Sequence, residues 1–390
     1  MGAFSMVNLT KEHLGFEIGP IRPPSEADSL LLRVTRNCPW NKCKFCGLYK
    51  GKNFSIRPKE HVLKDIDLVK QCIDTFKEMI EVDLSERQTM IKQLRDDLGQ
   101  NADYAYNSAI NWYRTGMESV FLQDGNSMII KPDDMIDILT YIRKQFPQVN
   151  RITSYGRSKN IARISDEDLK RMADSGLNRI HIGMETADNK VLELINKGVD
   201  KQTQIEAGQK VKRAGIELSE YFMPGIGGNE YSRQNALETA DALNQINPDF
   251  IRIRTTVVTD NAPLKEDYVK GIFTRPNGEK MVEELLLMIE NLEGITSTIK
   301  SDHIVNLIPE VEGKLPRDKE KMISALRWFL SLDKEERIIF KVGRRTALMS
   351  LMADLYDPFK RTRVENIIET NNITKENVDG IVDEAMNRFI

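Results

Sequence analysis

Cysteine is scarce in this 390-residue chain: there are four, and three of them, Cys38, Cys43 and Cys46, crowd into nine positions. So few and so unevenly placed, they do not form the disulfide framework of a secreted protein and suit a reducing compartment. Long apolar runs are absent, and a mean hydropathy of -0.43 with 29% charged residues excludes a membrane protein. Strong charge of either sign is missing too. A net charge of -3 and a pI near 6.0 give no global field for nucleic acid. The N-terminal run Met1-Gly2-Ala3-Phe4-Ser5-Met6 lacks a basic segment followed by an apolar one, and Met6 breaks the myristoylation pattern. The expectation is a cytoplasmic protein. What is present is 40% hydrophobic residues, enough for a core.

Short β-rich segments recur between amphipathic helical patterns, at 30–35, 119–122, 151–154, 179–183, 217–223 and 250–254. The alternation predicts parallel strands with crossover helices. Pro132 sits at a helix's first turn, Ser165 caps the next helix, and Gly176 and Gly215 close helices just before strands. Residues 29–275 therefore read as one α/β unit, either an incomplete barrel or a doubly wound sheet. Residues 1–28 form an N-terminal extension. Roughly 70 residues separate the cysteine loop from the second strand, against about a dozen in an ordinary crossover. Val62, Ile66, Val69, Ile73 and Phe76 make a helical stripe there, Ser85-Glu86-Arg87-Gln88 resembles a capping box, and 104–113 suits another helix. The segment from about 51 to 117 is thus a helical insertion. Beyond 275 the strand signal fades, and 278–293, 317–332, 343–355, 360–370 and 374–389 are helical in pattern, which makes 276–390 a C-terminal helical region. A helix-turn-helix within 363–389 is disfavoured by Glu365, Glu369, Glu376, Asp379, Asp383 and Glu384.

The cysteines carry the chemistry. A cubane iron–sulfur cluster normally takes four thiolates, so three local ones would leave one iron free to bind and activate another molecule. That arrangement points to an enzyme. Structural zinc is the competing reading, since Cys43-Lys44-Phe45-Cys46 is a Cys-x2-Cys unit that needs a further ligand. Cys72 shares helical spacing with Val69, Ile73 and Phe76 and reads as a buried hydrophobe, and His61 begins the same helix.

With its cysteines in the loop after the first strand of a parallel α/β array, the chain resembles the radical S-adenosylmethionine (SAM) superfamily. The branch is that of oxygen-independent coproporphyrinogen oxidase and methylthiotransferase-type cores. The family pattern is Cys-x3-Cys-x2-Cys; here the first gap holds four residues, Pro39-Trp40-Asn41-Lys42, while the second gap and Phe45 before the last cysteine match. Trp40 flanks the cluster or packs the loop. Gln123-Asp124-Gly125-Asn126 stands where the family's glycine-rich segment holds the methionine amino group, without the usual Gly-Gly-Glu. Ile180-His181-Ile182-Gly183-Met184-Glu185-Thr186 and Lys197 resemble the fourth-strand signature, in which the Glu185 position binds ribose hydroxyls and the Lys197 position faces the methionine carboxylate. Glu220 and Gly225, in the run from Glu220 to Gly228, resemble the fifth-strand segment near ribose and adenine. Tyr155, Arg157, Arg254 and Val257 are cavity residues by position, His181 is read as structural, and His303 has no evident partner.

The resemblance covers about 29–260. It implies a partial (β/α)6 TIM-like barrel and one [4Fe-4S] cluster on Cys38, Cys43 and Cys46. It further implies that SAM is reductively cleaved to a 5′-deoxyadenosyl radical that abstracts hydrogen. A small-molecule or peptide substrate and a reduced flavodoxin- or ferredoxin-like electron donor follow as expected partners. No second cysteine cluster is visible, which disfavours sulfur insertion, and methyl transfer and oxidation stay open. The alternative from another class is a non-catalytic zinc or iron–sulfur module with a helical partner-docking region.

Overall fold

The computed structural model describes residues 12–99 and 101–386. Their strands are β1 (Leu30–Arg33), β2 (Thr35–Arg36), β3 (Ser55–Ile56), β4 (Ser119–Gln123), β5 (Arg151–Gly156), β6 (Leu177–Glu185), β7 (Glu217–Phe222), β8 (Phe250–Ile253), β9 (Thr298–Lys300) and β10 (Gly313–Lys314). Eight of them form one sheet in the order β1-β4-β5-β6-β7-β8-β9-β10, and β2 pairs with β3. The expected α/β class and the strand–helix succession of a partial (β/α)6 TIM-like barrel are present.

The chain divides into two compact units. The first comprises residues through Pro39, 51–181 and 210–217; the second comprises 40–50, 182–209 and everything from Leu218 onward. β6 passes from one to the other at His181.

In the first unit β1, β4 and β5 run parallel, with Leu30 opposite Val120 and Ser119 opposite Arg151. The insertion is three helices, α1 (Lys59–Ile80), α2 (Leu84–Leu98) and α3 (Ala102–Arg114). Val62, Ile66, Val69 and Ile73 of α1 are buried on one face, as their spacing demands. Cys72 lies among them, and burial pushes its thiol up to about 12, which fits a packing role. The cap of α2 differs from expectation: Asp83, not Ser85, accepts from the Ser85 and Glu86 amides. The first unit also holds α4 (Pro132–Gln145), α5 (Ser158–Ile161) and α6 (Asp166–Asp174), with Pro132 at N1 and Ser165 as N-cap as read. His181 is fully buried, its ring 5.9 Å from that of Tyr155 and Nε2 3.6 Å from Glu26 Oε1, a packed position that agrees with its structural reading.

The second unit contains α7 (Asn189–Leu194), most of α8 (Lys201–Arg213), α9 (Gly228–Ile246), α10 (Leu264–Val269), α11 (Gly278–Glu290), α12 (Lys319–Ser331), α13 (Lys334–Arg345), α14 (Pro358–Thr370) and α15 (Val378–Met386). Here β7, β8 and β9 are parallel and β10 closes antiparallel on β9. Strand structure thus extends past residue 275, in two elements too short to show a periodicity. The helix expected at 343–355 is displaced: Asp333 caps α13 ten residues earlier, through the Glu336 amide, and a 3-10 turn occupies Met352–Tyr356. No helix among the described residues is long and apolar enough to cross a membrane.

Candidate cofactor site

In the second unit, the loop bearing Cys43 and Cys46 is fastened to the polypeptide after α7. The Lys44 amide donates to Ile195 O at 2.8 Å, and Lys44 O accepts from the Leu264 amide at 2.8 Å. Trp40 Nε1 donates to Asn196 O at 2.8 Å. Gly198 has a φ of +72°, and a Cβ there would overlap the Trp40 ring, so glycine is required on both counts. Trp40 therefore packs the loop. Phe45 lies against a buried cluster that includes Val191, Ile195, Met223 and Leu264. These contacts leave both thiols half-buried.

Beside this loop three of the expected residues gather. Lys197, set by the turn that ends α7, holds Nζ 5.4 Å from the Phe45 ring centroid and 3.1 Å from Glu185 Oε1. Glu185 ends β6 with a φ of +67°, unusual for a non-glycine residue and a mark of functional strain elsewhere. A Cβ at Gly183 would overlap the Glu185 carboxylate, so the bare backbone makes room for the pair. Glu220, on β7, is 1% exposed, and neither of its oxygens has a partner at hydrogen-bond geometry. Burial first and the Glu185 charge second push its pKa well above the ordinary carboxylate range, against smaller pulls from Lys197 and the Met184 backbone. A buried acid with a raised pKa thus stands beside an ion pair.

Gly225 follows β7 with a φ of +87°. Its amide donates to Glu284 Oε1 at 3.0 Å, and Glu284 also accepts from Ser232 Oγ at 2.7 Å and Asn235 Nδ2 at 2.6 Å. Glu284 escaped the sequence reading, although a carboxylate three residues from Met281 and four from Met288, inside an apolar stripe, was the available signal. Burial raises its pKa to about 7. Val257 is buried nearby in sequence to Arg254, whose amide continues the β7 pairing through Phe222 O. His303 is held neutral, its pKa lowered to about 4 by burial and by the Arg254 charge.

In the first unit, Cys38 follows β2 and is half-buried. The preceding Asn37 has a φ of +67° and donates its amide to Asp124 Oδ2 at 3.2 Å. That same oxygen takes Arg33 Nη2 at 2.9 Å, so Asp124 is a fully buried, ion-paired group. Gln123 accepts from the Gly19 amide at 2.7 Å and donates to Ile21 O at 2.7 Å, which ties down the backbone at 19–21. Gly125 is half-buried. Tyr155 stacks edge-on against Phe121, and the Arg157 amide donates to Asn126 Oδ1 at 3.0 Å. Glu17 is drawn upward by burial, yet Arg36, Arg57 and Arg33 hold it below the usual carboxylate range.

Among the described residues no three His, Cys, Asp or Glu side chains stand together as a metal set. The thiols of Cys38 in the first unit and of Cys43 and Cys46 in the second are soft donors of the type that ligates iron–sulfur clusters. The buried acid Glu220 and the pair of Lys197 with Glu185, packed over Gly183, have the chemistry to meet a ligand with a carboxylate and hydroxyl groups.

Residues 104–240 match the family model described as "Radical SAM superfamily". A tRNA uridine(34) acetyltransferase of Methanocaldococcus infernus is 25% identical over 120 residues, 30% of this chain and 22% of that protein. The heme chaperone HemW of Lactococcus lactis is 24% identical over 168 residues, 42% of this chain and 43% of that one. The chain thus spans about a fifth to two-fifths of the length of these curated relatives. The solved structure of OxsB, a cobalamin-dependent SAM radical enzyme, aligns with a TM-score of 0.43 at 14% identity, covering 94% of this chain and 59% of that one. Residues 104–240, about a third of the chain, thus resemble the radical SAM superfamily, whose members use a [4Fe-4S] cluster and SAM. The alternative of a non-catalytic zinc or iron–sulfur module is not favoured.

Proposed function

We propose that this radical SAM core binds a single [4Fe-4S] cluster through Cys38, Cys43 and Cys46, and receives SAM at Glu185, Lys197 and Glu220. The proposed reaction is hydrogen abstraction from a small-molecule or peptide-like substrate, with electrons from a reduced flavodoxin- or ferredoxin-like donor. The observation that carries this reading is Glu220, a buried carboxyl neither of whose oxygens makes a well-formed hydrogen bond, next to an ion pair. Leaving such a group unsatisfied costs free energy that a ligand can recover.

When bound, the cluster and SAM together supply a carbon-centred radical. The chain's own residues bind and orient. Lys197 Nζ would hold the methionine carboxylate, and Glu185 would accept from the ribose hydroxyls. Glu220, whose pKa burial raises, would share a hydrogen bond with a ribose hydroxyl. Gly225, whose backbone Met281 approaches closely, and buried apolar Val257 are the residues proposed to lie near the adenine. Phe45 keeps water from Lys197 on one side. Asp124, already paired with Arg33, orients the Asn37 amide just before Cys38.

Glu185→Ala separates SAM recognition from cluster assembly. Iron and sulfide content should stay at the wild-type level, while calorimetric SAM affinity falls about tenfold, the worth of one charged hydrogen bond. Unchanged affinity would leave Glu185 as no more than the partner of Lys197.

A further inference from the structure

A second set of charges lies in the second unit, in a narrow crevice of about 30 Å³ bounded by Pro224, Thr255, the first residue of α11 and the helices α13 and α15. Three cations line it, and all three are almost wholly buried: the side chains of Arg275 and Lys341 are 5% and 3% exposed, and Arg345 is 8% exposed. Arg275 ion-pairs with Asp383 and donates Nε to Thr256 O at 3.2 Å, and its Nη2 has no partner. Lys341 Nζ reaches Asp379 at 2.7 Å and Glu279 at 2.8 Å. Arg345 donates to Ile304 O and Val305 O at 3.2 and 2.9 Å, and its Nε is likewise unpartnered. Burial, with the charges of Arg344 and Arg275, lowers its pKa to about 10, a sign of crowded positive charge. The N-terminus of α11, at Gly278, adds its dipole of the same sign.

Asp379 and Asp383 come from one nine-residue helix, α15, one turn apart. Val378, Val382 and Met386 seat its apolar side. Both aspartates are about one-third exposed, whereas the cations they meet are buried. The fixed part of the crevice is thus cationic, and the carboxylates are brought to it by a short terminal helix.

We infer that this crevice is a binding site for a ligand with two carboxylate groups, and that α15 fills it with Asp379 and Asp383 when no such ligand is bound. Carboxylates four residues apart on a helix are offset by about 6 Å along its axis, close to the span of a four- or five-carbon dicarboxylate. Such a ligand would take over Arg275 and Lys341 and occupy the vacant Arg275 Nη2 and Arg345 Nε donors. The unliganded protein then binds weakly, because its competent state is only fractionally populated. The inference stands apart from the radical chemistry, since binding is read without cluster or SAM.

The test titrates glutarate, with inorganic phosphate as the comparison anion, into the full-length protein and follows binding by calorimetry. Asp379→Asn/Asp383→Asn should bind glutarate about tenfold or more tightly than wild type, through loss of the internal competitor. Adding Arg275→Gln to that variant should abolish the gain. In the wild type, hydrogen exchange of the α15 amides should quicken at saturating glutarate, a reading that needs no variant to fold. Equal affinity in wild type and double variant, α15 exchange unchanged or slowed by glutarate, or displacement of α15 by phosphate but not glutarate would overturn the proposal.

Discussion

Cys43→Ala is expected to lose most bound iron and all SAM cleavage, whereas Cys72→Ala keeps both. The contrast follows from where the two thiols stand. Cys43 is half-buried in the loop that Lys44 and Phe45 fasten to the second unit, so its removal leaves the loop's fold in place and subtracts a ligand. A cubane already one thiolate short of four does not survive on two. Cys72 lies fully buried in the apolar face of α1, its thiol pushed up to about 12. Replacing it removes one sulfur from a packed helix, a cost of about 1–2 kcal/mol with no effect on ligation. Iron content of the purified, reconstituted proteins checks both halves. Full iron retention in Cys43→Ala would remove the cluster from this loop.

The second large effect is on stability. Glu284 joins the Gly225 amide to Ser232 and Asn235 while nearly fully buried, and its pKa in the folded protein is raised from 4.5 to about 7. A carboxyl group whose pKa is raised by folding binds its proton more tightly in the native state. Its contribution is therefore full below about pH 4.5 and is lost as pH rises through 7. The shift is worth about 3 kcal/mol at most. Glu284→Gln retains acceptance from Gly225 and Asn235 at the amide oxygen, and Ser232 Oγ can turn to accept from the new amide nitrogen. The variant should lack this pH dependence. Its Tm should exceed that of wild type by roughly 5 °C at pH 8 and match it near pH 5. Parallel Tm–pH curves for the two proteins would contradict this role.

Much of this was legible in the sequence, for identifiable reasons. Period-2 and period-3.6 patterns with Pro132, Ser165, Gly176 and Gly215 as punctuation located the parallel strands and their helices, because each signal acts within a few residues. Features set by distant pairing were not. The first strand was read through Thr35, yet the chain leaves the sheet at Val34, whose carbonyl accepts from the Arg57 amide, and Thr35–Arg36 pairs instead with Ser55–Ile56. β9 has three residues and exists because β8 offers an edge. Glu185 and Lys197 stand out by motif, and their ion pair fits their nearness in sequence. The meeting of Lys197 with Phe45, about 150 positions apart, depends on tertiary structure alone. So does the capture of Asp124 by Arg33.

The central claim, that this chain assembles a cluster to which SAM binds, is tested most directly by anaerobic reconstitution with iron and sulfide. Reduction follows, then electron paramagnetic resonance before and after addition of SAM, with an assay for 5′-deoxyadenosine. The expected result is a cluster signal that changes on SAM addition, followed by formation of the nucleoside. A cluster indifferent to SAM, or tightly bound zinc with no cluster, would contradict it.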